Sequence, residues 1–101
     1  MGAVNIAMRV RGNTLRDAYK SAVDDAIDEY GSDAYNGTIS TTDGVKDMTS
    51  YLTQLMNEKP DEKSALRKWK NDAWGSTSKW EQVWGAKIAD NTYILAGWAA
   101  E

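Results

Sequence analysis

The chain has 101 residues with 42% hydrophobic and 27% charged side chains, a size and mixture that fit one soluble globular domain spanning residues 1–101. It has 5 Trp, 5 Tyr and 1 Pro but no Phe, Cys or His. Disulfides, thiolate metal sites, zinc centres and histidine-based triads are therefore closed, and no cofactor or metal is expected. The formal net charge of -3 names no partner by itself. No apolar run reaches the ~20 residues of a membrane span, and Met1–Val10 lacks the basic-then-apolar order of a signal peptide. A cytoplasmic protein without membrane contact is expected.

Ala3 to Arg11 alternates, with Val4, Ile6, Met8 and Val10 on one side and Asn5, Arg9 and Arg11 on the other, the pattern of a half-buried strand. Gly12 and Asn13 break it. Leu15, Ala18, Tyr19, Ala22, Val23, Ala26, Ile27 and Tyr30 then recur at steps of three and four and predict an amphipathic helix. Thr14 supplies its N-cap, and Gly31 its left-handed stop. Tyr35 to Thr42 is rich in Thr and Ile and reads as a second strand, turned by Asp43-Gly44. Val45, Met48, Leu52, Leu55 and Met56 form a second helical stripe, which Pro60 ends.

A shorter helix follows from Asp61 or Ser64 to Trp74, with Leu66, Trp69 and Ala73 inward. Gln82–Ala89 and Thr92–Ala100 flank Asp90-Asn91 and predict a tight hairpin, with Ile88 opposite Tyr93 and Ala86 opposite Leu95. The order β-α-β-α-α-β-β defines an α+β fold. It predicts a small mixed sheet of about four strands with helices packed mainly on one face. Val4, Ile6, Val23, Ile27, Ile39, Leu52, Ile88 and Leu95 are expected to share one core.

Three blocks of this sequence resemble a family of small, largely uncharacterised proteins encoded by bacteriophages and prophages. They are Met1-Gly2-Ala3-Val4-Asn5, the stretch from Ala18-Tyr19 through Tyr35-Asn36-Gly37-Thr38-Ile39-Ser40-Thr41-Thr42, and the ending Trp84-Gly85-Ala86-Lys87-Ile88 with Tyr93-Ile94-Leu95-Ala96-Gly97-Trp98-Ala99. The resemblance implies an origin in a phage and an accessory role in a bacterial host cell, such as blocking a defence system. Where family members often carry His or Cys, this chain has Ser32-Asp33 and Ala86-Lys87, so no metal role carries over.

Charge is polarised along the chain. Asp17 to Asp47 holds eight acids against two bases, and Lys63 to Trp80 holds five bases against one acid. Asp24 and Asp28 are four residues apart, as are Asp25 and Glu29. Each is a like-charged pair near a helix C-terminus, where the dipole favours cations. Departures from local consistency concentrate at functional surfaces, so Asp24, Asp25, Asp28 and Glu29 are the leading candidate surface for a basic host protein or nucleoprotein. The bland alternative is a solvated helix face. A rival reading places nucleic acid on Lys63, Arg67, Lys70 and Lys79 among Trp69, Trp74 and Trp80, with Arg9, Arg11 and Arg16 extending the patch. A third takes Trp84 and Trp98 as an aromatic floor for a small ligand, against a role as core filler. No phosphate loop or nucleophile elbow is present, and no spacing singles out an acid–base pair, so the chain is expected not to be an enzyme.

Overall fold

The chain folds as β1 (Ala3–Arg11), α1 (Leu15–Tyr30), a 3-10 turn (Ile39–Thr41), β2 (Val45–Asp47), α2 (Thr49–Glu58), α3 (Glu62–Ser76), β3 (Val83–Ala89) and β4 (Thr92–Ala100). This is a computed structural model, and it describes residues 2–31, 37–78 and 80–100. The four strands form one mixed sheet in the order β1-β4-β3-β2, so the fold is α+β with the expected C-terminal hairpin. β1 and β3 both pair antiparallel with β4, and β2 pairs parallel with β3. β1, β2 and β3 therefore run the same way.

That topology fixes the layers. The β1-α1-β2 connection crosses the whole sheet in one direction, and β2-α2-α3-β3 returns in the other. Parallel crossovers share one hand, so opposite directions put their helices on opposite faces. α2 and α3 lie together on one face, where Leu52, Leu55, Ala65, Leu66, Trp69 and Ala73 meet Trp84, Ala86, Ile94 and Ala96. α1 covers the other face, where Ala26 and Ile39 meet Val83 and Leu95, flanked by Ile6, Met8, Val10, Leu15, Tyr19 and Val23. The expected single core is thus two cores divided by the sheet. Ile27, expected inside, is 38% exposed because it lies at the margin of the α1 stripe.

The ends of the helices follow their sequence signals. Thr14 Oγ1 accepts from the Asp17 amide at 3.1 Å, and Gly31 closes α1 at φ 84°. Asp61 Oδ1 accepts from the Ser64 amide at 2.7 Å and starts α3. Two segments depart from expectation. Thr38–Thr42 is no strand: Thr41 Oγ1 donates to Thr38 O at 2.9 Å and Thr42 Oγ1 to Ile39 O at 2.7 Å, so the hydroxyls fold the backbone on itself. Tyr35 and Asn36 lie outside the described residues. The strand forms instead at Val45–Asp47, which the sequence pattern had assigned to the second helix.

The hairpin turns at Asp90-Asn91, with Asn91 left-handed at φ 53°. Its register is Ala86↔Ile94 and Gly85↔Leu95, one residue off the expected pairing, because a bulge falls between Lys87 and Ala89. Gly85 is a point of close approach, since a Cβ there would lie 2.6 Å from Leu15 Cδ1 and 2.8 Å from Val45 Cγ2. Tyr19 pins α1 to the turn before β2, its hydroxyl 2.6 Å from Thr42 Oγ1 and accepting from the Gly44 amide at 3.0 Å. Two indoles tie α3 to the opposite edge: Trp98 Nε1 donates to Trp74 O at 2.7 Å, and Trp74 Nε1 donates to Ile6 O at 3.1 Å.

Candidate partner-binding groove

The acidic residues of α1 divide between two environments. Asp24 pairs with Lys20 one turn earlier at 3.1 Å, with both side chains well exposed. Exposed pairs of this kind contribute little. Asp28 is exposed and, like Asp24, stands outside the groove beside β1. Asp25 and Glu29 instead rim that groove, about 580 Å³ in volume, between the C-terminal half of α1 and β1. Ile6, Met8, Val10, Ala22, Ala26 and Ile39 give it an apolar floor, and Tyr30 and Arg9 also line it. The like-charged pair costs some tenths of a kcal/mol within the helix. In exchange it sets two carboxylates beside an apolar trough, a combination suited to a cationic side chain with a long aliphatic stem.

The groove lies along an open edge of the sheet. β1 is the outermost strand, nine residues long, with β4 on one side only. Among the described residues no strand pairs with its other side. Edge strands of this length are usually blunted by charge, bulges or a covering segment. Here Arg9 and Arg11 are exposed and alternate along β1 with the residues of the groove floor, Arg9 also reaching the groove lining, and the strand carries no bulge in its pairing with β4.

A second cleft, about 560 Å³, opens on the opposite face between α2, α3 and β3. The Tyr51 hydroxyl donates to Asp72 Oδ2, and Lys68 Nζ donates to Asp72 Oδ1 at 2.9 Å. Hydrogen bonding from Lys68 and then Tyr51 holds the Asp72 carboxyl below the usual carboxylate range, while the bond to Asp72 raises the Tyr51 phenol and the Lys68 ammonium. Tyr51 meets Trp84 edge to face at 5.9 Å, and Trp84 meets Trp69 at the same separation. The group clamps α2 to α3. The Lys68/Asp72 spacing of four was readable in the sequence; its link to Tyr51, on another helix, had no sequence signal.

The alternative sites are dispersed. Lys63 is exposed on α3, and Arg67 rims a shallow hollow with Lys59, Pro60 and Lys68. Lys70 faces β1, lining a different hollow with Ala7 and Arg9. Lys79 lies outside the described residues. Trp69 is fully buried, and Trp74 and Trp98 are engaged with backbone carbonyls, so these indoles are structural rather than a stacking platform. Trp84 lines the α2/α3 cleft without Trp98, so the two do not form one floor. Trp80, 43% exposed, has a left-handed backbone at φ 71°, uncommon for a bulky residue.

Among the described residues no group of three or more acidic side chains is placed to hold a metal ion, and no helix is long and apolar enough to cross a membrane. Comparison with family models, curated proteins and solved structures gives no match to this chain.

Proposed function

We propose that this chain is a non-enzymatic accessory protein of phage origin that binds a basic surface of a host macromolecule through the groove between α1 and β1. Its most concrete form is an inhibitor of a bacterial defence nuclease, of the anti-CRISPR kind, acting in the host cytoplasm. The observation that supports this reading is the placement of Asp25 and Glu29 on the rim of an apolar trough beside an open strand. A surface that normally holds nucleic acid is basic and matches that rim by charge. The test is parallel capture from the bacterial host by the tagged chain and by its Asp25→Lys/Glu29→Lys variant, with bound proteins identified by mass spectrometry. The wild type should retain a specific partner that the variant loses. Equal retention by both refutes the groove as the working surface.

A nucleic-acid reading keeps one supporting observation, the meeting of Arg9 and Lys70 at one hollow. Its test is retention on DNA or RNA at ~50 mM salt, with a salt slope that Arg67→Glu/Lys70→Glu flattens.

A further inference from the structure

We infer that β1 takes up an extended segment of its partner as a fifth strand, and that the segment carries Lys or Arg at alternate residues with acidic residues between. This rests on the groove reading above and specifies what occupies it.

The backbone sets the geometry. The Gly12 amide donates to Asn91 O at 3.1 Å, in line with the register that places Val10 opposite Tyr93 and Met8 opposite Leu95. Hydrogen-bonded pairs recur every second residue, so the even residues of β1 point their N–H and C=O at β4. The other end agrees: Ala100, opposite Ala3, uses its N–H on Thr41 Oγ1 at 2.9 Å and its C=O on the Gly37 amide at 2.7 Å, both away from β1. Ala3, Asn5, Ala7, Arg9 and Arg11 therefore project their backbone groups outward. Among the described residues none of those groups has a partner. This is a ladder ready for strand addition.

Side-chain chemistry then selects the guest. Residues of an added strand alternate between faces. Those on the α1 side pass over the floor of Ile6, Met8 and Val10 and reach Asp25 and Glu29. Lys fits there, its stem on the apolar floor and its ammonium at the carboxylates. Those on the opposite side lie next to exposed Arg9 and Arg11, where acidic residues pair favourably. A second copy of this chain is disfavoured, because two-fold pairing of β1 strands puts both α1 helices on the same side and both acid pairs in one groove.

The probe is a nonapeptide of alternating Lys and Glu, compared at low salt with a peptide of the same composition arranged in blocks. Calorimetry should show the alternating peptide binding at least about tenfold more tightly. Ala7→Pro removes one outward N–H without touching the β4 ladder, a place where an edge strand tolerates proline, and should weaken binding about tenfold. Amide exchange at Ala7 and Arg9 in the wild type should slow on binding, which keeps a readout if the proline variant fails to fold. Equal binding of the two peptides, unslowed exchange, or a folded Ala7→Pro variant with full affinity overturns strand addition and leaves the groove reading standing. Unchanged binding by Asp25→Lys/Glu29→Lys overturns the groove reading itself. No saturation by the alternating peptide up to about 1 mM, or self-association of the free chain that Ala7→Pro abolishes, also overturns the inference.

Discussion

Gly85→Ala tests whether α1 docks across the sheet as described. The new methyl would lie 2.6 Å from Leu15 Cδ1, 3.1 Å from Leu15 Cδ2 and 2.8 Å from Val45 Cγ2. Carbon contacts settle near 3.5–4.0 Å, so each neighbour must retreat by up to about 1 Å. Leu15 can swing its tip. Val45 is stiff at χ1 and sits on the strand paired with β3, so it yields less. Overpacking of this kind costs roughly 1–3 kcal/mol, offset by about 0.4–1 kcal/mol from the smaller entropy of the unfolded chain. The middle of those ranges leaves a net loss of about 1.3 kcal/mol, a Tm lower by roughly 5–10 °C in a chain of this size. Thermal melts followed by circular dichroism measure it, with Val45→Ala and the double variant completing a cycle. Removing the Val45 methyls makes room, so the double variant should be more stable than additivity predicts by at least about 0.5 kcal/mol. Gly85→Ala melting with the wild type, or an additive cycle, refutes the placement of Leu15 and Val45 over Gly85.

Leu95→Ala, at a site 1% exposed, should cost about 2–5 kcal/mol in denaturant unfolding, whereas Ile27→Ala, at 38% exposure, should cost less than about 1 kcal/mol. Asp72 has a depressed pKa, so the stability it contributes is present above the unfolded carboxyl value of 3.8 and is lost as pH falls through its folded value. Asp72→Asn should therefore be less stable at neutral pH and show a flatter acid limb. Tyr51 has a raised pKa, so its contribution is complete below 10.0 and is lost as pH rises through the folded value, a loss that Tyr51→Phe should not show in alkaline melts. Trp74→Phe deletes the bond to Ile6 O and should lower stability by about 1 kcal/mol in urea titration. Asp25→Lys/Glu29→Lys should melt no lower than the wild type, because the pair stays like-charged, leaving that penalty unchanged, while cations replace anions near a helix C-terminus.

β1, α1 and α3 were legible because each carries a strong local signal: strict alternation, a long helical stripe, or an Asp or Thr positioned to cap. β2 was not, because three residues give no period and Val45 also fits the stripe of Met48 and Leu52. The Thr-rich stretch before it has strand propensity, but its hydroxyls satisfy nearby carbonyls and fold it into a 3-10 turn. The two-sided burial of the sheet did leave a trace. β4 reads as a nearly continuous apolar run from Tyr93 to Ala100, the mark of a strand covered on both faces, while β1 alternates as an edge strand half open to water does. The hairpin slip at Ile88 followed from a bulge that no residue type announces. In the candidate groove, the acidity of α1 was evident from the sequence. Which of its acids face β1 was not, since that depends on how α1 sits on a strand lying beyond the turn at Gly12.

The division of the core by the sheet is also an optical division. Trp69, Trp74, Trp84 and Trp98 belong to the α2/α3 side, Trp80 lines a hollow with Ser76, Thr77 and Trp84 beside the end of α3, and the α1-side cluster holds no indole, its one ring being Tyr19. Indole emission therefore watches one half of the molecule. Far-ultraviolet dichroism sums all helices, α1 included. If the shared sheet makes both halves melt together, the two signals superimpose at every temperature. If α1 peels away first, dichroism moves while emission stays, and the open edge of β1 is exposed with the other half still intact.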